Sequence, residues 1–168
     1  MSTGRIVRLG AVAGIAGGVA MAMVAMLAGW TSADHTAWHA PRGIATWVLG
    51  YEGDERAALL EGAVPIVAGL LLHMLNSVVV GVLFALAAGA LGLRGASVIA
   101  GAVFWALLVW VVMRLVVLQL NTPEGTMFRE AIVLPQWAWW VGHLAYGMGL
   151  GLVYETLRER MPAVRTAG

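Results

Sequence analysis

The residues of this chain that could do chemistry are few, and most lie where water is scarce. His73 and His143 fall inside long apolar runs, where lipid penalises an ionisable group and its presence points to a purpose. As neutral imidazoles, each can donate a hydrogen bond to a backbone carbonyl, or pair with the polar residue three positions on, Asn76 or Tyr146, and so lock a helix contact. As two imidazoles from different helices at one depth, they would instead make the axial pair of a b-type haem, with neighbouring glycines leaving room for the flat macrocycle. A second group is Asp34, His35 and His39. The two histidines are four residues apart, on one face if the segment is helical, and imidazole with carboxylate suits a divalent metal. Met21, Met23, Met26 and Met74 offer soft thioethers to copper(I), and equally the flexible packing that methionine supplies to apolar gaps. Arg114 is the one charge well inside a span. Its long side chain can snorkel to the interface, pair with Glu61, Glu124 or Glu130, or meet an anion or substrate.

The elements that position these residues follow from composition. Of 168 residues, 61% are hydrophobic and 11% charged, against about 25% charged in soluble domains. The mean hydropathy is +0.85. The absence of cysteine excludes disulfides, thiolate metal sites and thiol catalysis, and a net charge of +1 gives no electrostatic footprint for nucleic acid. Four stretches reach the roughly 20 residues needed to cross hydrocarbon: Ile6 to Trp30, Val64 to Leu91, Ala96 to Leu120 and Ile132 to Tyr154. In lipid a backbone must satisfy its own hydrogen bonds, so each is expected to be a helix. The first has a basic start, Arg5 and Arg8, but an apolar run too long for a signal peptide.

Arginine sets the orientation. Arg5, Arg8, Arg94, Arg158, Arg160 and Arg165 fall on one side, and Arg42, Arg56 and Arg129 in the opposite loops, which puts both termini in the cytoplasm. Trp30, Trp38, Trp47, Trp137, Trp139 and Trp140 would then form an outer interfacial belt.

The chain also resembles itself. Ile15 to Val19 matches Ile99 to Val103 at an offset of 84, while Pro65, His73, Ser77, Gly81 and Phe84 match Pro135, His143, Gly147, Gly151 and Tyr154 at an offset of 70. The expected fold is an all-α membrane protein whose four transmembrane helices form two tandem hairpins, with a pseudo-two-fold axis along the membrane normal. Residues 1–168 make a single transmembrane domain. Repeat 1 covers about 6–91, with an outer loop over 31–63 holding a short interfacial helix, and repeat 2 covers about 95–160. The stripes Ser77, Gly81 and Gly147, Gly151, with Asn76 and Tyr146 beside them, are expected in helix contacts, because small residues let helices approach closely.

The string from His143 to Tyr154, HLAYGMGLGLVY, resembles the terminal motif of small bacterial four-span membrane proteins of unknown function, the YagU-like and related uncharacterised families. The glycine-rich first helix and the histidine of the second are similar too. This resemblance implies a bacterial inner-membrane location and four spans, and it implies no activity.

The sequence offers no arrangement of nucleophile, base and oxyanion donors, no phosphate loop and no paired intramembrane carboxylates. The leading expectation is a non-enzymatic multi-pass protein of the bacterial inner membrane, an accessory or structural subunit whose partners are the lipid bilayer and other membrane-complex subunits or itself. The alternatives are a small bis-histidine cytochrome and an oligomeric small-solute transporter or channel.

Overall fold

A computed structural model describes residues 1–32, 36–49, 62–117 and 134–160. Five helices make up the described chain: α1 (Thr3–Thr31), α2 (His39–Leu49), α3 (Ala63–Ala90), α4 (Ala96–Val112) and α5 (Gln136–Arg160). α4 continues into a turn of π-helix, Met113–Val117. No strand occurs among the described residues.

Thr3–Thr31, Ala63–Ala90 and Ala96–Leu115 are long and apolar enough to cross a membrane, with mean hydropathies of 2.1, 2.2 and 2.3. α5 does not join them on composition. Trp137, Trp139, Trp140, His143 and Tyr146 dilute its Leu and Val, and Glu155 to Arg160 make its last turn charged.

Each long helix turns small residues inward and large ones outward. On α3 the buried positions include Gly69, Ser77, Gly81, Ala85 and Ala88. Val67, Leu71, Leu75, Val79 and Leu83 form an exposed stripe at steps of four residues. α1 does the same, burying Gly10, Ala13, Gly14, Gly17 and Gly18 and exposing Val12, Ile15, Val19 and Met23. A water-soluble bundle would be built the other way round. This arrangement suits lipid, where leucine gains nothing by burial and close backbone packing supplies the attraction.

α1 is the centre of the bundle. It lies along α5 on one side and α3 on the other, α4 lies along α5, and α3 and α4 barely touch apart from their joining turn. The α1–α3 seam is nearly backbone on backbone. A Cβ on Gly81 would sit 2.6 Å from the Gly14 Cα, and one on Gly10 would sit 2.8 Å from the Val82 Cα. The α4–α5 seam is similar, since a Cβ on Gly147 would sit 2.6 Å from the Val103 Cα and one on Gly151 2.8 Å from the Ile99 Cα.

The expected two-fold axis is not visible in the inter-hairpin contacts, because it would make the α1–α5 and α3–α4 seams equal. Glycine explains the difference: Gly17 and Gly149 meet where α1 crosses α5, whereas Trp105, bonded through Nε1 to the Val80 carbonyl at 3.3 Å, stands between α4 and α3.

The ends are closed by short elements. α2 packs on α3 so closely that a Cβ on Gly69 would collide with the Pro41 carbonyl. Ala40 and Ile44 of α2 share a small apolar cluster with Ala28 of α1 and Ala138 of α5. The short helix expected in the outer loop is therefore a cap on the bundle. At the other end, α3 stops in a Schellman motif, with Gly92 at φ 67, Gly92 N–H bonded to the Gly89 carbonyl and Leu93 N–H to the Ala88 carbonyl.

Gly81→Ala should lower thermal stability in detergent by about 1–3 kcal/mol, the usual cost of overpacking, despite alanine's better helix propensity. Gly89→Ala should be neutral or slightly stabilising, because its Cβ meets only the flexible end of Ile6 at 3.4 Å. Unfolding curves followed by tryptophan fluorescence would separate the two, and equal losses would mean that the α1–α3 seam is looser than described.

Candidate functional site

The two intramembrane histidines stand on α3 and α5, either side of α1. α1 can be used as a ruler: Ser77 meets Gly14 and Gly18, while Tyr146 meets Gly17. His73 is one turn from Ser77 and His143 three residues from Tyr146, so the two lie at comparable depth.

Their bonding differs. His73 Nε2–H donates to the Gly18 carbonyl of α1 at 3.0 Å, a bond between helices. His143 Nδ1–H donates to the Trp139 carbonyl one turn back on its own helix, at 2.8 Å. A carbonyl only accepts, so these bonds set the tautomers: Nε2–H in His73 and Nδ1–H in His143. His143 is buried, at 7% exposure.

Tyr146 joins the two sides. Its ring lies over Gly17, where no side chain intervenes, and its hydroxyl donates to the Ser77 carbonyl of α3 at 2.9 Å. Ser77 Oγ returns a bond to the His73 carbonyl at 2.8 Å. Ser77, Gly81, Gly147 and Gly151 are all buried in helix seams, where small residues were expected. Asn76 departs from its expected role: it is exposed beside Leu75 and makes no hydrogen bond among the described residues. At 100° per residue, a position three after His73 turns away from α1 once His73 faces it.

The residues present do not fit a bis-histidine haem. The Nε2 of His73 is committed to Gly18, and Tyr146 fills the junction between α1, α3 and α5. Of the metal trio, Asp34 and His35 lie outside the described residues, and His39 begins α2. Met21 packs beside Gly142 and Met74 beside Gly18, while Met23 is 66% exposed, so these thioethers do not converge. Arg114 lies in the π turn with its guanidinium carbon 6.0 Å from the centre of the Trp110 ring. Glu61, Glu124 and Glu130 lie outside the described residues.

A polar site that sequence reasoning missed lies at the opposite end. Glu155, 7% exposed, accepts a bond from the Gly95 backbone N–H at 2.7 Å and pairs with Arg158 at 2.7 Å. Arg158 also donates to the Leu93 carbonyl at 2.5 Å. The α3–α4 turn is thus clasped by one carboxylate and one guanidinium from α5. Gly95 is at φ 56, a conformation that favours glycine, and it caps the start of α4, where a carboxylate also gains from the helix dipole. The available signal was an acidic residue three before an arginine, facing a turn bounded by two glycines. Read as a solvated tail, it gave no hint of burial.

Comparison with known proteins finds no relative: no protein-family model matches the chain, and no curated protein or solved structure is significantly similar to it.

Glu155→Ala should cost about 1–3 kcal/mol of stability, because it strands the Gly95 N–H and half of the Arg158 fork. Glu155→Gln, which keeps one acceptor oxygen, should lose less. An Ala variant that melts with the wild type in detergent would show that the clasp contributes nothing.

Proposed function

We propose that this chain is a four-span protein of the bacterial inner membrane, with both termini in the cytoplasm and no catalysis of its own, acting as an accessory or structural subunit of a larger membrane complex. The observation that carries this reading is where the buried polar groups go. The hydrogen-bonding side chains of His73, Ser77, Trp105, His143 and Tyr146 all bond to backbone carbonyls, either within their own helix or across a seam. They are spent holding helices together, and none of these bonds converges on an open cavity.

The fourth span is α5. From Gln136 to Tyr154 it carries no charge, and this length is about 28 Å of helix, close to the hydrocarbon thickness. It runs alongside α1 and α4, both apolar enough to cross. Its polar rings are directed at protein rather than lipid, which is how a helix of modest hydropathy is accommodated in a bilayer.

The tandem-hairpin reading has local support. Within the hairpins, Ser77 packs on Gly18 and its repeat equivalent Gly147 on Ala102, the equivalent of Gly18. Phe84 and Tyr154, equivalent at the offset of 70, meet each other edge to face at 6.0 Å, as residues close to an internal two-fold would. The haem reading gains nothing from the committed His73, and a conducting route gains nothing from an outer end capped by α2.

The test is purification in a mild detergent from the native membrane, after an alkaline carbonate wash. The protein should stay with the membrane and co-purify with a stoichiometric partner. A monodisperse protein with no partner, active on its own in a liposome flux assay, would overturn the subunit reading. Protease protection of tags at the two ends separately tests the four-span topology, which places both tags on one side.

A further inference from the structure

Arg114 is the one cation of the bundle whose charge the protein leaves unmatched. It is near the end of the span Ala96–Leu115, about 27 Å along the helix from Ala96, so it lies by the far boundary of a hydrocarbon core of about 30 Å. Among the described residues it makes no ion pair and no hydrogen bond, although a guanidinium carries five N–H donors. What it has is an indole. Trp110, four residues earlier on the same face, lies under it at 6.0 Å, and Trp110 is in turn 4.0 Å from Trp140 of α5 with the rings tilted at 38°. Trp137 and Trp140 are 47% and 44% exposed on the same side.

An indole face attracts a cation and offers no hydrogen-bond acceptor, so the donors of Arg114 still require an anion. At this depth, beside a tryptophan belt, the anion every phospholipid leaflet supplies is the phosphodiester, whose two free oxygens match the guanidinium fork. The π turn that carries Arg114 breaks the regular helical ladder at the same point, a distortion found often at binding positions.

We propose that Arg114, Trp110 and Trp140 form a site for the phosphate group of one phospholipid, in the leaflet opposite the α3–α4 turn. The guanidinium pairs with the phosphodiester, and the stacked indoles bed the glycerol region. The site requires that α4 crosses a bilayer. It does not depend on a partner subunit or on which face is cytoplasmic.

The test is native mass spectrometry of delipidated protein in detergent, titrated with phosphatidylglycerol, with diacylglycerol of the same chains, or with inorganic phosphate. The wild type should retain one phosphatidylglycerol and no diacylglycerol. Arg114→Gln should weaken retention about tenfold, with Arg114→Lys between the two because a lysine keeps the charge and loses the fork. Trp140→Leu should also weaken it, and Arg94→Gln, at the other end of α4, should not. Melting curves without lipid establish that each variant is folded. Equal retention by wild type and Arg114→Gln would sink the proposal. Displacement of the lipid by an equal concentration of inorganic phosphate would overturn the lipid assignment in favour of a free-anion site. Failure of the membrane reading itself would register separately, as loss of the protein from carbonate-washed membranes.

Discussion

The close approach of α1 to its neighbours is the constraint on which the rest of the structure depends. Lipid gives two helices no hydrophobic reason to associate, because a leucine is as well solvated by acyl chains as by protein. Attraction must come from dispersion between well-fitted surfaces and from hydrogen bonds in a medium of low dielectric. Gly10, Gly14, Gly17 and Gly18 strip one side of α1 to its backbone, so the neighbouring helices rest on it at van der Waals distance. Once they do, carbonyls of one helix come within reach of side-chain donors from another, which a seam of leucines would keep apart. The bonds from His73 to Gly18 and from Tyr146 to Ser77 follow from that proximity.

The same constraint explains why the ends need separate fastening. Seams of small residues hold the helices laterally and do little for the polar backbone where helices stop. The inner turn is short, and two of its glycines adopt left-handed angles so that α3 can end and α4 begin within a few residues. Glu155 and Arg158 supply the acceptor and the donors that this turn lacks, each partly removed from water. At the outer end α2 does the corresponding work with apolar contacts. Ala40 and Pro41 bring its backbone against α3, where Gly69 leaves the space.

Much of this was legible in the sequence, and what was not has identifiable causes. Hydropathy exposes α1, α3 and α4 as spans because their outward faces are pure aliphatic. It under-reads α5, whose polar rings look like a penalty until the helix that receives them is known. The stripes Ser77, Gly81 and Gly147, Gly151 were readable as seams, because only small residues at helical spacing allow that packing. Asn76 was misjudged. Periodicity ranks angular distance along one helix and does not say which side of His73 its neighbour lies on. The Glu155 clasp was invisible because its partners are backbone atoms of a turn sixty residues away, and a backbone amide leaves no mark in a sequence.

The two histidines show how far a repeat constrains chemistry. Equivalent positions gave them comparable depth and a comparable neighbour, Ser77 or Gly147 one turn inward. The bonds they make are nevertheless different, and the cause lies in the helix opposite. His73 faces Gly17 and Gly18 of α1, where adjacent glycines leave a carbonyl uncovered, and it takes that carbonyl. The corresponding pair on α4 is Gly101 and Ala102, and the Ala102 carbonyl lies against Gly147. His143 turns instead to Trp139 on its own helix, leaving Tyr146 to make the bond between helices. One methyl group in a seam decides which carbonyls remain open, so a duplicated framework can place two identical side chains alike and still give them separate tasks.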